Sequence, residues 1–252
     1  MSMADEMTIT LEVFRYHPEQ AGEPTFCDYQ VPYHDDWVVL DALNWVKDNT
    51  DGTLAYRWSC RMGVCGSCGM MVNGEPKLTC AAFLKDYYPN SIRIEPLTNF
   101  DVERDLVVTM DDFMEKIESV KPYIVRDDVN DTSQGEYKQS PAELAQYKQY
   151  SMCINCMLCY AACPVMGNEP DFVGPAALAL GHRYNKDSRD HGGTERLEKM
   201  MEHEAVWGCT FVGECTEVCP KHVDPAGAIQ QAKAQAAQHY FKKFFMPKGA
   251  GR

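Results

Sequence analysis

The chain has 252 residues and a formal charge of −13, with a sequence pI near 4.9. That acidity argues against a nucleic-acid partner, because the phosphates would repel it. No uninterrupted apolar run approaches the ~20 residues needed to cross a bilayer, and the length suits two ordinary domains.

In the first half, Ile9, Leu11 and Val13 alternate with Thr8, Thr10 and Glu12, which predicts a half-buried strand. A second strand runs from Phe26 to Val31 and stops at Pro32, with Cys27 expected as a small buried hydrophobe. Asp35 or Asp36 is placed to cap a helix carrying Val39, Leu43 and Val46 on one face. A cysteine-rich loop follows. Met70–Val72, a turn at Asn73-Gly74 and a return through Leu78 to Cys80 read as a hairpin, and Ile92 and Ile94 mark a last strand.

Around Asp101–Met110 the pattern changes to helices. Phe113, Ile117 and Val120 form a helical stripe before Pro122, and a polar, acidic connector occupies Arg126–Gln139. Ser140-Pro141-Ala142-Glu143 is a capping box whose helix should deliver the chain to Cys153. Further helices are expected at Pro175–Tyr184 and Thr194–His203. A long one starts at Pro225, behind Asp224, and ends near Phe245. The domains implied are 1–105 and 106–252, an α+β protein whose second part is all-α.

Eleven of the twelve cysteines fall into three blocks. Cys60, Cys65, Cys68 and Cys80 have the C-x4-C-x2-C spacing of a [2Fe–2S] loop, with a fourth thiol beyond the hairpin. Cys153, Cys156, Cys159 and Cys163, followed by Pro164, read C-x2-C-x2-C-x3-C-P, the pattern of two-cluster proteins. Cys209, Cys215 and Cys219-Pro220 repeat that run with Val212 where a cysteine belongs. The last cysteine of each such run ligates the other cluster. Crossing the runs assigns Cys153, Cys156, Cys159 and Cys219 to a [4Fe–4S] cube. Cys163, Cys209 and Cys215 remain for the other centre, and three thiolates predict [3Fe–4S]. Structural zinc prefers paired knuckles, and disulfides belong to secreted chains, whereas no apolar signal segment stands at Met1–Leu11. Both alternatives fit the spacing worse. Gly63, Gly66 and Gly69 between the first ligands either turn backbone N–H groups toward a cluster or simply fit a tight loop. No dinucleotide fingerprint, Ser/His/Asp set or paired carboxylate stands out, so organic chemistry is expected on another subunit.

Beyond the cysteines, Tyr56-Arg57-Trp58-Ser59-Cys60-Arg61-Met62, Pro76-Lys77-Leu78, Glu103-Arg104-Asp105-Leu106-Val107-Val108, Lys121-Pro122-Tyr123, His182-Arg183-Tyr184 and Cys219-Pro220-Lys221-His222-Val223-Asp224-Pro225 carry a resemblance. Across nearly its whole length the chain resembles the iron–sulfur subunit of succinate dehydrogenase and fumarate reductase. The resemblance implies an N-terminal β-grasp domain of plant-type ferredoxin kind, followed by a helical bacterial two-cluster ferredoxin domain. It implies a flavoprotein subunit with covalent FAD, one or two membrane anchor subunits, and a quinone near the three-iron centre. The place implied is peripheral, on the cytoplasmic face of a bacterial inner membrane.

Thr210 and Phe211, with Gln230 and Lys233, look like the menaquinol-binding pattern of bacterial fumarate reductases. Thr210 stands where ubiquinone-type succinate dehydrogenases carry His, and Pro164-Val165-Met166-Gly167-Asn168 lacks their Trp. The resemblance therefore points to quinol:fumarate reductase, with a menaquinone-linked succinate dehydrogenase as the alternative. Arg57, Arg61 and Arg183 are expected in salt bridges to other subunits. A free multi-cluster ferredoxin is the rival from another class. Tyr240, Phe241, Phe244, Phe245 and Met246 beside Lys242 and Lys243 argue against it, as a docking or membrane-proximal surface, with core packing the other account of these aromatics.

Overall fold

A computed structural model of the chain describes residues 7–19, 22–128, 133 and 135–245. Met246 and part of the acidic connector lie outside the described residues. Two compact units emerge: Met1–Met110 with Ile154–Ala162, and Asp111–Cys153 with Cys163–Arg252.

The first unit is built on a five-stranded mixed sheet in the order β2-β1-β5-β3-β4. The alternation at Thr8–Arg15 (β1) buries Ile9, Leu11 and Val13, and β2 (Thr25–Pro32) pairs with it antiparallel along its full length. Cys27 is half-buried against this core. α1 (Val39–Asn49) lays Val39, Leu40, Ala42, Leu43 and Val46 into the same core, which the sheet's Val31, Met70, Val72, Ile92 and Ile94 complete. β3 (Gly69–Val72) and β4 (Glu75–Leu78) form the hairpin at Asn73-Gly74, where both residues have positive φ. β5 (Ile92–Glu95) runs parallel to β1 and antiparallel to β3.

Two expectations are corrected here. The first residue before α1 is Val38, not Asp35 or Asp36. A turn from His34 to Trp37 and the bond from Val39 N to the Ala82 carbonyl at 2.8 Å set the entry, while Asp41 accepts from Val38 N at 3.2 Å. The segment around Asp101–Met110 is also not helical; it carries the hairpin β6 (Val102–Arg104) and β7 (Val107–Val108). Its turn residue Asp105 takes φ +47°, a conformation Asp tolerates better than most residues. The buried Asp105 carboxylate accepts from Arg15 Nε at 3.0 Å, Tyr16 N at 3.0 Å and Ala55 N at 2.9 Å. Arg15 also reaches Tyr29 and Asp51. One buried acid thus ties β1 to two loops.

The second unit is helical: α2 (Asp111–Ser119), α3 (Pro141–Ala145), α4 (Leu158–Ala161, a single turn lent to the first unit), α5 (Pro164–Asn168), α6 (Pro175–Asn185), α7 (Gly193–Met200), α8 (Glu214–Glu217) and α9 (Pro225–Phe245). The capping box at Ser140 forms, with Ser140 N donating to Glu143 at 2.7 Å and Glu143 N donating back to the Ser140 hydroxyl at 3.3 Å. Its helix lasts five residues, so turns and a 3-10 segment at Tyr150–Met152, not a continuous helix, lead to Cys153. α6 and α9 pack together, Ala179 against Ala228 in one apolar cluster, and Ala176 and Ala177 of α6 and Ala232 and Ala236 of α9 are also buried. Asp224 starts α9 by accepting from Gly227 N and from the Thr216 hydroxyl, each at 2.8 Å.

Arg196 of α7, 1% exposed, holds this unit's most demanding polar contacts. It pairs with Asp190 at 2.9 Å and donates to the carbonyls of Val120, Lys121 and Tyr123 at 3.1 Å each. Removing it leaves a buried carboxylate with its main countercharge gone. Arg196→Met should therefore cost about 3–5 kcal/mol in denaturant unfolding, and the pair Arg196→Met/Asp190→Leu should recover part of that loss.

Candidate metal centres

Cys60, Cys65, Cys68 and Cys80 all belong to the first unit. Cys68 and Cys80 are buried and Cys65 is exposed. The buried Thr79 ties the stretch before Cys80 to Cys68, its amide and hydroxyl both donating to the Cys68 carbonyl at 3.0 Å. In the loop, Met62 N and Val64 N donate to Cys60 Sγ at 3.4 Å, Cys65 N donates to it at 3.3 Å, and Gly63 N donates to Cys80 Sγ at 3.2 Å. Positive φ at Arg61, Gly63 and Gly66 turns these amides inward. A row of N–H dipoles aimed at sulfur is the donor arrangement that stabilises thiolate ligands. Burial pushes the Cys80 thiol up to about 11, while hydrogen bonds led by the Ser67 hydroxyl pull Cys65 down to about 6.

The three glycines divide their duties. Gly63 has open space where a Cβ would stand and supplies only the turn. Gly66 and Gly69 pack against the segment lent from the second half: an added Cβ would lie 2.8 Å from the Ile154 carbonyl and 3.0 Å from Cys156 at Gly66, and 3.1 Å from the Cys156 carbonyl at Gly69. Thr98 and Asn99 fasten the same segment, donating to Ala161 O at 2.8 Å and Tyr160 O at 2.9 Å. Cys156 and Cys159 therefore share a unit with the first cysteine block.

Cys153 and Cys219 belong to the second unit, where both pack on Tyr150, Ala179, Val223 and Ala228. Cys163, Cys209 and Cys215 line one recess together with Thr210, Phe211, Val212, Gly213, Phe172 and Ile229. Burial, then the charges of Cys163 and Cys209, push the Cys215 thiol up to about 12. Phe211 N donates to Cys209 Sγ at 3.4 Å from a backbone with φ +61°. Val212 faces the recess with no donor atom. Among the described residues no three His, Cys, Asp or Glu side chains converge on a single-ion point; a cluster spreads its thiolates over separate irons and does not need such convergence.

Lys233 Nζ donates to the Cys209 carbonyl at 2.7 Å, a contact that spacing did not reveal. Gln230 and Lys233 stand one helical turn apart on α9, yet neither lines the recess. Gln230 Nε2 is buried without a hydrogen-bond partner. Thr210 also borders a wider cavity of about 520 Å³ with Glu169, Asp171, His203 and Glu204, polar residues that carried no motif in the sequence. The arginines expected at subunit salt bridges have partners inside the chain. Arg57 donates to Val108 O, Arg61 lies over the Trp58 ring, and Arg183 pairs with Asp187 and stacks on Tyr147 and Tyr184.

A family model described as a 2Fe-2S iron-sulfur cluster binding domain matches residues 10–115, and one described as a 4Fe-4S dicluster domain matches residues 149–223. A fumarate reductase iron-sulfur subunit of Mycobacterium tuberculosis is 58% identical over 243 residues, covering 96% of this chain and 98% of that protein. One of Haemophilus influenzae is 51% identical over 257 residues, covering 98% and 100%. A chain of the Mycobacterium smegmatis Sdh1 complex in the apo form matches with a TM-score of 0.85 at 26% identity, over 94% of this chain and 98% of that one.

Gly63→Ala and Gly66→Ala separate backbone strain from close packing. Gly63→Ala should cost only the left-handed penalty, about 1–2 kcal/mol. Gly66→Ala adds a collision with a carbonyl, so it should lower the melting temperature further and diminish the visible absorbance of the [2Fe–2S] domain, which Gly63→Ala retains.

Proposed function

The chain belongs to the iron–sulfur subunits of the succinate dehydrogenase and fumarate reductase family, and on that premise we propose that it is the electron-transfer subunit of a membrane-bound quinol:fumarate reductase. It passes electrons between quinone and a flavoprotein that interconverts fumarate and succinate. The dicarboxylate chemistry and the FAD reside on that partner. The parallel β1–β5 pair with α1 packed on the sheet supports a β-grasp fold for a first domain of 1–105, with a helical two-cluster ferredoxin domain in 106–252.

Cys60, Cys65, Cys68 and Cys80 hold [2Fe–2S]. Cys153, Cys156, Cys159 and Cys219 hold [4Fe–4S], and Cys163, Cys209 and Cys215 hold [3Fe–4S]. When bound, these groups supply one-electron carriers of differing potential. The observation that carries the reading is the recess where three thiols gather beside Val212, which offers no fourth ligand. This chain's own contribution is electrostatic. Amides of Met62, Gly63, Val64, Cys65 and Phe211 spread thiolate charge, and the Lys233 ammonium sits on the backbone of the ligand Cys209.

Thr210, Phe211, Gln230 and Lys233 form the quinone-facing set, with menaquinone the expected partner. No described helix is long and apolar enough to cross a membrane. One or two anchor subunits hold the chain peripherally, on the cytoplasmic face of the inner membrane. Electron paramagnetic resonance of the anaerobically purified complex, with rates of fumarate reduction and succinate oxidation, tests this reading. A complex with two four-iron centres and no oxidised three-iron signal would overturn the assignment at Val212.

Two substitutions sharpen it. Val212→Cys offers a fourth thiolate, so the oxidised three-iron signal should disappear and quinone-linked turnover should fall, while the other two centres keep their signals. Lys233→Ala removes a charged donor worth ~1.5–3 kcal/mol. Quinol-coupled turnover should drop about tenfold or more, with dye-coupled activity at the flavin unchanged; equal loss in both assays would make Lys233 purely structural.

A further inference from the structure

The last two turns of α9 bury no side chain, and their contacts with the second unit are the approaches of His239 and Lys243 to Glu198 of α7. The buried stripe of the helix runs through Ala226, Ala228, Ile229, Ala232 and Ala236 and stops there. Beyond it, Tyr240, Phe241, Phe244 and Phe245 are between 52% and 79% exposed. At about 100° per residue, and measured from Ala236, these four rings cover a continuous arc of roughly 140°; Tyr240 and Phe244 continue the direction of Ile229 and Ala226 past the point where the packing ends, and Phe241 and Phe245 turn away from it. Phe245 touches both neighbours, with ring centroids 4.4 Å from Phe241 and 4.9 Å from Phe244. The two lysines flank the arc, Lys243 beyond Tyr240 and Lys242 beyond Phe245, each about 60° outside its margin.

The charge of this segment is opposite to that of the chain. Residues 225–252 carry five of the 24 Lys and Arg residues and none of the 37 Asp and Glu residues. From α7, Glu198 comes within 3.9 Å of Lys243 and 3.7 Å of His239, but Lys243 is 72% exposed there, and so open a pair leaves its ammonium available. Everywhere else an excess of carboxylates repels anionic surfaces. Clustered aromatic rings between two flanking ammonium groups, on a helix with no acid, match the boundary between acyl chains and anionic headgroups. The rings enter the apolar layer, the Tyr240 hydroxyl stays at the headgroups, and the lysine stems reach sideways to phosphate.

We propose that Tyr240–Phe245 is an interfacial foot that seats this chain directly on anionic phospholipid. The foot rests on the membrane setting proposed above but needs no anchor subunit and no quinone, so it can fail while that reading stands. The test is co-sedimentation of the full-length, cluster-loaded chain with phosphatidylcholine vesicles, with and without phosphatidylglycerol. Wild type should bind where phosphatidylglycerol is present. Lys242→Gln/Lys243→Gln should weaken that binding about thirtyfold, about fivefold for each lysine. Phe241→Ser/Phe244→Ser/Phe245→Ser should abolish it, while Phe→Leu at the same three positions keeps it. Unchanged cluster absorbance shows that each variant is folded, as expected for exposed side chains. Wild type that ignores phosphatidylglycerol, variants that bind like wild type, or binding only to vesicles carrying the anchor protein would overturn the foot; the last outcome would assign the same surface to a protein groove.

Discussion

Cysteine sulfurs gathered in a small volume repel one another once they carry charge, and the cysteine loops are shaped so that this charge has hydrogen-bond donors to meet it. Here the backbone supplies them. Amides of residues 62–65 converge on Cys60 and Cys80, and the amide of Phe211 points at Cys209. An ordinary β or helical path does not aim consecutive N–H groups at one sulfur, and the cysteine loops run through left-handed residues: Arg61, Gly63 and Gly66 in the first block, Asn155 and Met157 in the second, Phe211 and Gly213 in the third.

The first unit is composite. Ile154–Ala162 comes from the helical half of the chain, yet it packs with the sheet and the first cysteine loop. Gly66 and Gly69 permit backbone-to-backbone approach at Cys156, and Thr98 and Asn99 secure the far end of the segment through its carbonyls. Two glycines without side chains are the plainest way to bring one loop against the next.

In the second unit the stiff parts stand behind the ligands. Small residues let α6 and α9 approach closely, and Arg196 fills the space among α7, the stretch after α2 and the α6–α7 connection with a fully buried ion pair. Thr216 and Asp224 join the last ligand turn to the start of α9, and Lys233 returns from α9 to the Cys209 carbonyl. The helix that supports the recess therefore also brings a positive charge onto the backbone of Cys209.

The sequence by itself determined whatever depends on local pattern. Period-two alternation placed β1 and β2, the Ser140 and Glu143 pair set a cap, Pro225 behind Asp224 opened α9, and the cysteine spacings named the ligand blocks with the odd residue Val212 among them. Tertiary structure decided whatever depends on distant neighbours. α1 begins just after Val38 because Ala82 and the His34–Trp37 turn hold its entry, and the change to helices expected around Asp101–Met110 waits until Asp111 because a hairpin first brings Asp105 to Arg15, ninety residues away. The membership of Ile154–Ala162 in the first unit, the packing duty of Gly66 and the Lys233 contact leave no trace in spacing. Each is a close approach between segments far apart in the chain, and a one-dimensional pattern records only which residues are able to make such an approach, not which ones meet.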